Sequence, residues 1–561
     1  MEIRNLPQLH RRQAEALGRR VALRYKQLGC YRDVTWLDYR EQVESCAAAL
    51  IDAGIQPGER VGLLAENRVE WLIADLAILA VGAVTVPLHA PLTAPQAQFQ
   101  LADAGTAWLF VSMAAQLDKV REIRADLPLL RGVIIFDPVE CNDALTWRAF
   151  LQRGRNLRSQ AASEVCAREQ RLQRDDLATI IYTSGTTGNP KGVMLTHGNL
   201  LSNVEGFHEG SRCGLHSIFL CWLPLSHVYA RTVDHYYSIW TGAVLCLAES
   251  ADALVRNLDE IQPTHMSSVP RFYEKVLTAV ADPDPKETGR KLRTIFGPQI
   301  DWLGSGGAPL PPDIARTFNA AGLLLLQGYG LTESSPVISF NRKDRYKIES
   351  VGPPLPNVEV KIAADGELLT RGPHVMKGYW NNPQATAEAL ADGWLHTGDL
   401  AKLDDEGFLH ITGRKKDLIV LSNGKKVAPS LVENKLLADS CIDQAVVCGD
   451  GRNFLTALLV PHWQNLCQQS SDLGKMAASM PEEALAEHPA VAKALAARVD
   501  AALAGLAPWE QVKKFVVLPK PFSVAADELT VSMKLRRNVI NAKYRGALEA
   551  LYRDTESGCD G

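Results

Sequence analysis

The stretch Tyr182-Thr-Ser-Gly-Thr-Thr-Gly-Asn-Pro-Lys191-Gly192 decides the fold, because strand-like apolar residues flank it at 177–183 and 192–196. Its glycines let backbone N–H groups approach an anion, its hydroxyls add donors, and its lysine adds a positive charge. The spacing differs from the Gly-x-x-x-x-Gly-Lys-Ser/Thr loop of GTPases. The pattern therefore predicts a polyphosphate cradle rather than a plain surface turn, formed by Thr183, Ser184, Gly185, Thr186, Thr187, Gly188 and Lys191.

The length, charge and cysteine content of the chain limit the class of protein. With 561 residues the chain is too long for one hydrophobic core, so we expect two or three domains. A net charge of -4 offers no basic field for nucleic acid. The 11 cysteines form no Cys-x-x-Cys pair, and the charged N-terminus lacks the apolar core of a signal peptide. We therefore expect a protein of a reducing compartment, the cytoplasm, without a disulfide framework or a zinc site.

One apolar run resembles a membrane span. Residues 71–90, WLIADLAILAVGAVTVPLHA, are long enough to cross a bilayer. Asp75, Gly82 and Pro87 interrupt the run, and the last two break a helix. We predict a buried helix to about Val81, then a short core strand at 83–86, and no transmembrane segment.

Helical and strand patterns alternate along most of the chain. In the first 170 residues a helix at 35–54 precedes a strand at 60–65, an order that favours a mainly parallel sheet covered by helices. A second α/β region runs to about 340, and short strands punctuated by Gly and Pro occupy 350–412. The predicted fold is α/β, with two mainly parallel sheets and a β-rich subdomain in residues 1–412. A smaller α+β domain follows at 413–561.

Two further glycine-rich segments favour a nucleotide site. Residues 304–310, GSGGAPL, form a side-chain-poor turn where backbone can approach a flat ligand. In residues 327–334, QGYGLTES, the Tyr329 ring suits a purine, Thr332 offers a hydroxyl to a phosphate, and Glu333 is a hard oxygen ligand for Mg²⁺. Each segment alone also fits an ordinary loop. Together they add Gly306, Gly307, Ala308, Pro309, Gln327, Gly328 and Gly330 to the candidates.

Polar candidates continue towards the C-terminus. Asp399, in GWLHTGDL at 393–400, is a carboxylate able to accept both hydroxyls of a ribose, or to form a turn. The basic segment 413–429 contains Arg414, Lys416 and Gly424 and would otherwise be a surface hairpin. Lys534 lies in a basic tail, ELTVSMKLRR at 528–537, where an isolated lysine is usually solvated.

Taken in order, these segments resemble the motifs of the AMP-forming adenylating enzymes, over roughly residues 35–545. The resemblance implies that Thr332 contacts the α-phosphate, that Glu333 and Thr183 bind magnesium, and that Tyr329 stacks on adenine. It further implies that Asp399 and Arg414 bind ribose or phosphate and that a mobile C-terminal domain turns on Lys416. Gly424 would line a pantetheine tunnel, and Lys534 would be the catalytic lysine.

Within that family the chain resembles long-chain fatty acid:CoA ligases, through LPLSHVYAR at 223–231 and the segment 413–429. This resemblance places His227 and Tyr229 near the acyl pocket and adds His227 to the catalytic candidates, although a packed core histidine also fits. The implied substrates are a fatty acid, ATP and coenzyme A, with Mg²⁺ as cofactor. A homodimer and a peripheral contact with the inner membrane surface are left open.

Other functions share part of the pattern. An acyl-AMP ligase that loads a carrier protein would have the same motifs through Asp399, and a ligase for aryl or short-chain acids would have all of them. An amino-acid adenylation domain needs an acidic partner for the substrate amine, for which Asp234 is the candidate. A binding protein without turnover would have no need of both Glu333 and Lys534.

Overall fold

The computed structural model describes residues 3–139, 141–183, 189–530 and 534–553. The first part is built from seven strands and six helices that alternate along the chain. The strands are β1 Val21–Gln27, β2 Cys30–Thr35, β3 Arg60–Leu64, β4 Val84–Leu88, β5 Thr106–Val111, β6 Gly132–Ile135 and β7 Leu145–Thr146. The helices are α1 Leu6–Leu17, α2 Trp36–Asp52, α3 Val69–Ala80, α4 Ala94–Ala104, α5 Ala114–Ile123 and α6 Trp147–Arg171.

The central part has the same alternation. Its strands are β8 Leu177–Thr183, β9 Lys191–Thr196, β10 Ile218–Cys221, β11 Val244–Leu247, β12 His265–Ser268, β13 Trp302–Ser305, β14 Leu325–Gly330 and β15 Val337–Phe340. Its helices are α7 His197–Ser211, α8 Tyr237–Thr241, α9 Leu254–Ile261, α10 Pro270–Val280, α11 Pro285–Phe296 and α12 Pro312–Ala320. A π-helix, Ala230–Tyr236, leads into α8, and a 3₁₀ turn, Thr332–Ser334, follows β14.

The last part contains shorter elements. Its strands are β16 Glu359–Ile362, β17 Glu367–Arg371, β18 Gly378–Tyr379, β19 Leu395–Leu403, β20 Leu409–Arg414, β21 Ile419–Val420, β22 Lys426–Val427, β23 Ile442–Cys448, β24 Leu455–Pro461 and β25 Val512–Val517. Its helices are α13 Pro383–Ala389, α14 Pro429–Leu437, α15 Trp463–Gln468, α16 Ser471–Ala477, α17 Glu482–Ala486, α18 Pro489–Leu503, α19 Arg537–Lys543 and α20 Arg545–Arg553.

Two mainly parallel, eight-stranded sheets organise the molecule up to β15 and β18. One has the order β18-β9-β8-β4-β3-β5-β6-β7, and the other has the order β15-β14-β13-β12-β10-β11-β1-β2. Antiparallel pairs occur only towards the sheet edges, at β18/β9, β9/β8, β15/β14 and β1/β2 of the described strands. The predicted pair of mainly parallel sheets is confirmed.

The remaining strands form smaller sheets. Strands β16-β17-β19-β20 make a four-stranded antiparallel sheet, which is the predicted β-rich subdomain. Beyond it, β23-β24-β25 form a three-stranded sheet whose core includes residues of α14 and α18, so this region is α+β as predicted. Gly413 lies inside β20, and a 3₁₀ turn, Lys415–Asp417, follows that strand.

Local sequence explains the boundaries of α2. The Thr35 hydroxyl accepts the Asp38 backbone N–H at 3.1 Å, and the Asp38 carboxylate accepts the Thr35 N–H at 3.3 Å. This reciprocal cap satisfies donors that the first helical turn leaves free. Gly54 follows the helix with a φ of +81°, a conformation that favours glycine. The helix predicted at 35–54 therefore forms at Trp36–Asp52.

Helix α3 is buried as predicted, and its burial extends to every side of the helix although an amphipathic helix was expected. Trp71, Leu72 and Ile73 are all completely buried, and the run continues as strand β4 in the middle of a sheet. Asp75 is buried with them and pairs with Arg231 of the π-helix. Among the helices of the described ranges, none has the length and apolar character that a bilayer span needs.

Candidate active site

Three of the predicted residues form one cluster, in which two side chains donate hydrogen bonds to the carboxylate of the third. The Tyr329 hydroxyl donates to Asp399 Oδ2 at 2.6 Å, and Arg414 Nε donates to Asp399 Oδ1 at 2.8 Å. Tyr329 lies next to the last residue of β14, whereas Asp399 and Arg414 are cross-strand partners on β19 and β20. Burial and the neighbouring Asp399 both raise the pKa of Tyr329. The cluster places an aromatic ring, a carboxylate and a guanidinium side by side, which suits a nucleoside.

A second cluster joins the phosphate-loop lysine to Glu333. The Tyr379 hydroxyl donates to Glu333 Oε1 at 2.8 Å, and Lys191 Nζ lies 5.0 Å from the centroid of the Tyr379 ring. Burial, followed by Glu333, raises the pKa of Tyr379. Sequence reasoning assigned Tyr379 no chemistry, because nothing in the motif Gly-Tyr-Trp shows that its hydroxyl reaches a residue 46 positions away.

The stem of the predicted phosphate loop is an antiparallel pair. Thr183 and Lys191 face each other at the ends of β8 and β9, and Thr183 Oγ1 donates to the Lys191 carbonyl at 3.5 Å. The Tyr182 hydroxyl donates to Asp103 Oδ2 at 2.6 Å and so ties the stem to α4. Ser184, Gly185, Thr186, Thr187 and Gly188 lie outside the described residues, so their predicted role is not tested by the geometry.

The glycine-rich turn after β13 lies against Tyr229. A Cβ atom at Gly306 would come within 3.2 Å of the Tyr229 ring, so glycine permits this contact. Gly307 has a φ of +81°, and Ala308 and Pro309 are exposed beside it. The small residues of this turn leave its backbone accessible, and its predicted role in nucleotide binding stays a prediction.

The other glycine-rich segment, residues 327–334, begins on strand β14 and ends in the 3₁₀ turn that follows it. A Cβ atom at Gly330 would lie 1.8 Å from the Pro336 carbonyl oxygen, so a side chain is excluded there. Gln327 and Gly328 precede it on the strand, and the Gln327 carbonyl accepts the Asn341 backbone N–H at 3.0 Å. Thr332 and Glu333 follow in the 3₁₀ turn, with Thr332 buried and Glu333 half-buried.

His227 lies in a histidine pair that sequence reasoning missed. Its Nδ1 accepts the Tyr229 backbone N–H at 3.1 Å, and its ring stacks on His89 with centroids 6.3 Å apart. The His89 Nδ1 is 2.7 Å from the Ser226 hydroxyl. Burial, then His89 and Lys534, lowers the pKa of His227 to about 3. The imidazole is therefore neutral at pH 7 and can orient groups by hydrogen bonding, but it carries no positive charge.

Lys534 faces this cleft from the C-terminal part of the chain. Its surface is exposed, yet protein surrounds the cleft closely enough that burial lowers the pKa of its ammonium. Arg414 lowers this pKa further, whereas Asp399 and Glu333 oppose the shift. A side chain from the C-terminal region is thus electrostatically coupled to both residue clusters.

The other C-terminal candidates lie away from these clusters. Gly424 is exposed in the turn between β21 and β22, with a φ of +77° and open space around its Cβ position. Lys416 is in the 3₁₀ turn after β20. Its neighbour Lys415 bonds Glu367 Oε2 at 2.8 Å. Across the cleft, Arg271 Nη2 lies 2.7 Å from Asp443 Oδ1 and links α10 to β23.

The chemistry of the cleft suits magnesium. Within the described ranges, no group of three or more His, Cys, Asp or Glu residues could hold a metal by itself. Mg²⁺ usually takes only one or two carboxylates and completes its shell with water and substrate phosphates. Glu333, a carboxylate oriented by Tyr379 and close to Lys191, fits that pattern.

The fold and the cleft together define an adenylate-forming enzyme. The chain matches the model of the AMP-binding enzyme family over residues 10–380 and that of the AMP-binding enzyme C-terminal domain over residues 416–556, and it belongs to this family.

Curated relatives agree with this assignment. The chain is 35% identical over 573 residues to the long-chain-fatty-acid–CoA ligase FadD15 of Mycobacterium bovis, covering 93% of each protein. It is 27% identical to the long-chain-fatty-acid–CoA ligase ACSBG2 of Xenopus laevis, covering 98% of this chain and 83% of that protein.

Among solved structures, anthranilate CoA ligase AuaEII bound to anthranoyl-AMP superposes with a TM-score of 0.80 at 19% identity, over 98% of this chain and 99% of the other. The O-succinylbenzoate coenzyme A synthetase of Bacillus subtilis, bound to ATP and magnesium, gives 0.72 at 24% identity, over 94% and 98%.

Proposed function

We propose that the protein is an AMP-forming fatty acid–CoA ligase acting on medium- to long-chain acids. The observation that carries this is the convergence of Lys534, Glu333 and the Tyr329–Asp399–Arg414 cluster on one cleft. ATP and coenzyme A are its co-substrates, and Mg²⁺ is its cofactor. The names of the curated relatives, FadD15 among them, support the fatty acid as the acyl substrate.

In the first half-reaction a carboxylate oxygen of the fatty acid attacks the α-phosphorus of ATP, and pyrophosphate leaves. The carboxylate is already a nucleophile, so no general base is needed. Negative charge accumulates on phosphoryl oxygens in the transition state, and fixed positive charge and hydrogen-bond donors stabilise it. Here the positive charge comes from Lys534 and Lys191, and the hydrogen-bond donors are the hydroxyls of the phosphate loop. Glu333 and Thr183 would hold magnesium, which would neutralise further charge on the phosphates.

In the second half-reaction the sulfur of coenzyme A attacks the acyl carbonyl carbon, the bond to AMP breaks, and the thiol loses its proton. We assign residues 1–412 to the adenylate-forming domain and 413–561 to a C-terminal domain that turns near Lys416. Turning breaks the contact between Arg271 and Asp443, withdraws Lys534 and brings Gly424 towards the pantetheine.

A cytoplasmic location is part of the proposal. The cysteines of the described ranges are free thiols, which suits a reducing compartment. A homodimer and a peripheral membrane contact stay predictions.

The test is a series of acids from acetate through octanoate to palmitate, with ATP and coenzyme A, measuring AMP release and the thioester formed. Specificity constants should rise along the series, because each buried methylene adds about 0.8 kcal/mol. A maximum at acetate, an aryl acid or an amino acid would contradict the chain-length assignment and leave the ligase chemistry standing. Formation of acyl-AMP without any thioester would instead identify a carrier protein as the acceptor.

A further inference from the structure

The π-helix Ala230–Tyr236 buries a carboxyl group that the proposed mechanism does not use. Asp234 is 1% exposed, and neither of its side-chain oxygens has a hydrogen-bond partner among the described residues. π-Helical turns are rare and are frequently found at functional sites. Buried polar groups in proteins are nearly always paired, so an unpaired carboxyl in this element needs an explanation.

On the opposite side of the same helix, the buried carboxylate of Asp75 does have hydrogen-bond partners. Asp75 accepts hydrogen bonds from Arg231 Nε at 3.1 Å, from the Tyr236 hydroxyl at 2.8 Å and from the Thr85 hydroxyl at 2.8 Å. His235 belongs to this side as well, because its Nε2 is 2.9 Å from the Tyr39 hydroxyl. Asp234 takes no part in this network, so its burial does not serve to hold the helix in place.

Asp234 lies on the side of the helix that faces β10 and β12. Ser267 of β12 and Cys221 of β10 are close enough to affect its ionisation without meeting hydrogen-bond geometry. Ser267 is the register partner of Gly304, and the Tyr229 hydroxyl lies 3.5 Å from the position of a Cβ on Gly304. The carboxyl is therefore behind Tyr229, whose ring covers the glycine-rich turn of the nucleotide cleft.

The environment favours the neutral form of the carboxyl. Burial raises the pKa of Asp234 to about 7, and Ser267 and Cys221 only partly oppose this shift. A buried polar group without a hydrogen-bond partner is destabilising, because it has lost its hydrogen bonds to water. A neutral carboxyl can both donate and accept a hydrogen bond, and a hydroxyl group can do the same. A hydroxyl on a ligand would thus recover the missing hydrogen bonds without bringing in a charge.

We propose that Asp234 forms a polar subsite of the acyl pocket that takes a hydroxyl group on the acyl chain, making hydroxylated fatty acids preferred substrates. This rests on the fatty acid–CoA ligase function proposed above. Tyr229 covers the subsite, so its ring has to turn away when a chain enters. A hydrocarbon chain placed against Asp234 leaves the carboxyl unsatisfied, which is the physical basis of discrimination.

The experiment compares palmitate with hydroxypalmitates in which the hydroxyl is moved along the chain. The wild-type protein should show a kcat/KM at least ~10-fold higher for one positional isomer than for palmitate, equivalent to about 1.4 kcal/mol. Asp234→Leu should remove this preference and retain or raise activity on palmitate, whereas Asp234→Asn should keep part of it. Ser238→Ala, which removes a buried hydroxyl already bonded to the His235 carbonyl at 2.7 Å, is the matched control and should leave the ratio unchanged.

The other outcomes would contradict the proposed subsite or the function on which it rests. Equal ratios in the wild type and Asp234→Leu would overturn the proposal and show that the carboxyl only fills space. A preference for an amino-substituted acid that depends on Asp234 would overturn the hydroxyl and identify an ammonium subsite. If circular dichroism shows that Asp234→Leu does not fold, the ratio of kcat/KM for the hydroxypalmitate to that for palmitate is measured in Asp234→Asn instead. A ratio equal to that of the wild type would then overturn the proposal. Failure of the wild type to adenylate any of these acids would refute the proposed activity on long-chain fatty acids, on which the subsite rests.

Discussion

The hydrogen bond from the Tyr379 hydroxyl orients one carboxylate oxygen of Glu333 in the cleft. Its donor comes from β18, far along the chain from the motif that contains Glu333. Metal-binding carboxylates are commonly oriented in this way by a second residue, and loss of such a partner weakens metal binding. Glu333 is therefore expected to depend on Tyr379 for its orientation.

Glu333→Gln should weaken adenylation and raise the Mg²⁺ concentration needed for half-maximal rate, because an amide lacks the charge that a hard cation prefers. Tyr379→Phe should shift the same requirement in the same direction by a smaller amount. The measurements are pyrophosphate release during a Mg²⁺ titration and Mn²⁺ binding with ATP, followed by electron paramagnetic resonance.

Tyr31→Phe is the control, since it removes a phenol bonded to the exposed Glu260 at 2.8 Å. Full activity of Glu333→Gln at an unchanged Mg²⁺ requirement would show that the metal is held elsewhere.

At the scale of elements, the pair Asp75–Arg231 joins α3 to the π-helix and, through Thr85 and Thr179, to β4 and β8. Both charged side chains are completely buried. The attraction between them offsets the cost of removing two charges from water only because further hydrogen bonds satisfy both groups. The network thus holds the π-helix, and with it Asp234, at a fixed depth below the sheet.

Arg231→Met should lower the free energy of unfolding by about 3–5 kcal/mol, because it leaves the Asp75 carboxylate buried without its counter-charge. Urea unfolding followed by tryptophan fluorescence measures the change. Asp75→Leu combined with Arg231→Met should recover part of the loss, since no unpaired charge remains.

The exposed pair of Arg24 and Asp33, at 2.7 Å, is the control for this prediction. Arg24→Ala should cost no more than about 1 kcal/mol, as surface ion pairs do. An equally small effect for Arg231→Met would mean that the buried network adds nothing to stability.

At the scale of the whole molecule, the C-terminal region delivers Lys534 to a cleft built by the rest of the chain. The described contacts that hold it there include the Arg271–Asp443 pair, at 2.7 Å, and the bond from Lys415 to Glu367, at 2.8 Å. The Arg271–Asp443 pair is partly exposed and therefore weak, so it can break in the proposed rotation of the C-terminal domain. In the mechanism that we propose, this arrangement belongs to the first half-reaction.

Lys534→Ala should reduce acyl-AMP formation by at least ~10²-fold, about 2.7 kcal/mol of transition-state stabilisation. Thioester formation from pre-made acyl-AMP should be retained, because the lysine has left the cleft by then. Single-turnover assays of the two half-reactions separate these outcomes.

Lys513→Ala, in an exposed lysine of β25, serves as the control and should affect neither step. Equal loss of both half-reactions in Lys534→Ala would indicate a structural lysine, or a domain that does not turn.

The sequence by itself determined the local features of the protein. Thr35 and Gly54 mark the ends of α2, and Asp75, Gly82 and Pro87 identified the apolar run as buried helix and strand. The glycine-rich motifs predicted which strands end at the cleft, because backbone conformation and steric exclusion are short-range effects. The order of the motifs was sufficient to identify the family, because each motif consists of a few neighbouring residues.

Only the tertiary structure decided which side chains are partners. Nothing local shows that Tyr379 reaches Glu333, that His89 stacks on His227, or that Asp75 pairs with Arg231. Asp234 and His235 are adjacent in sequence and equally polar, yet one is unpaired behind Tyr229 and the other bonds Tyr39. Burial, pKa and pairing depend on atoms brought together from distant parts of the chain, so they are properties of the packed molecule rather than of any segment.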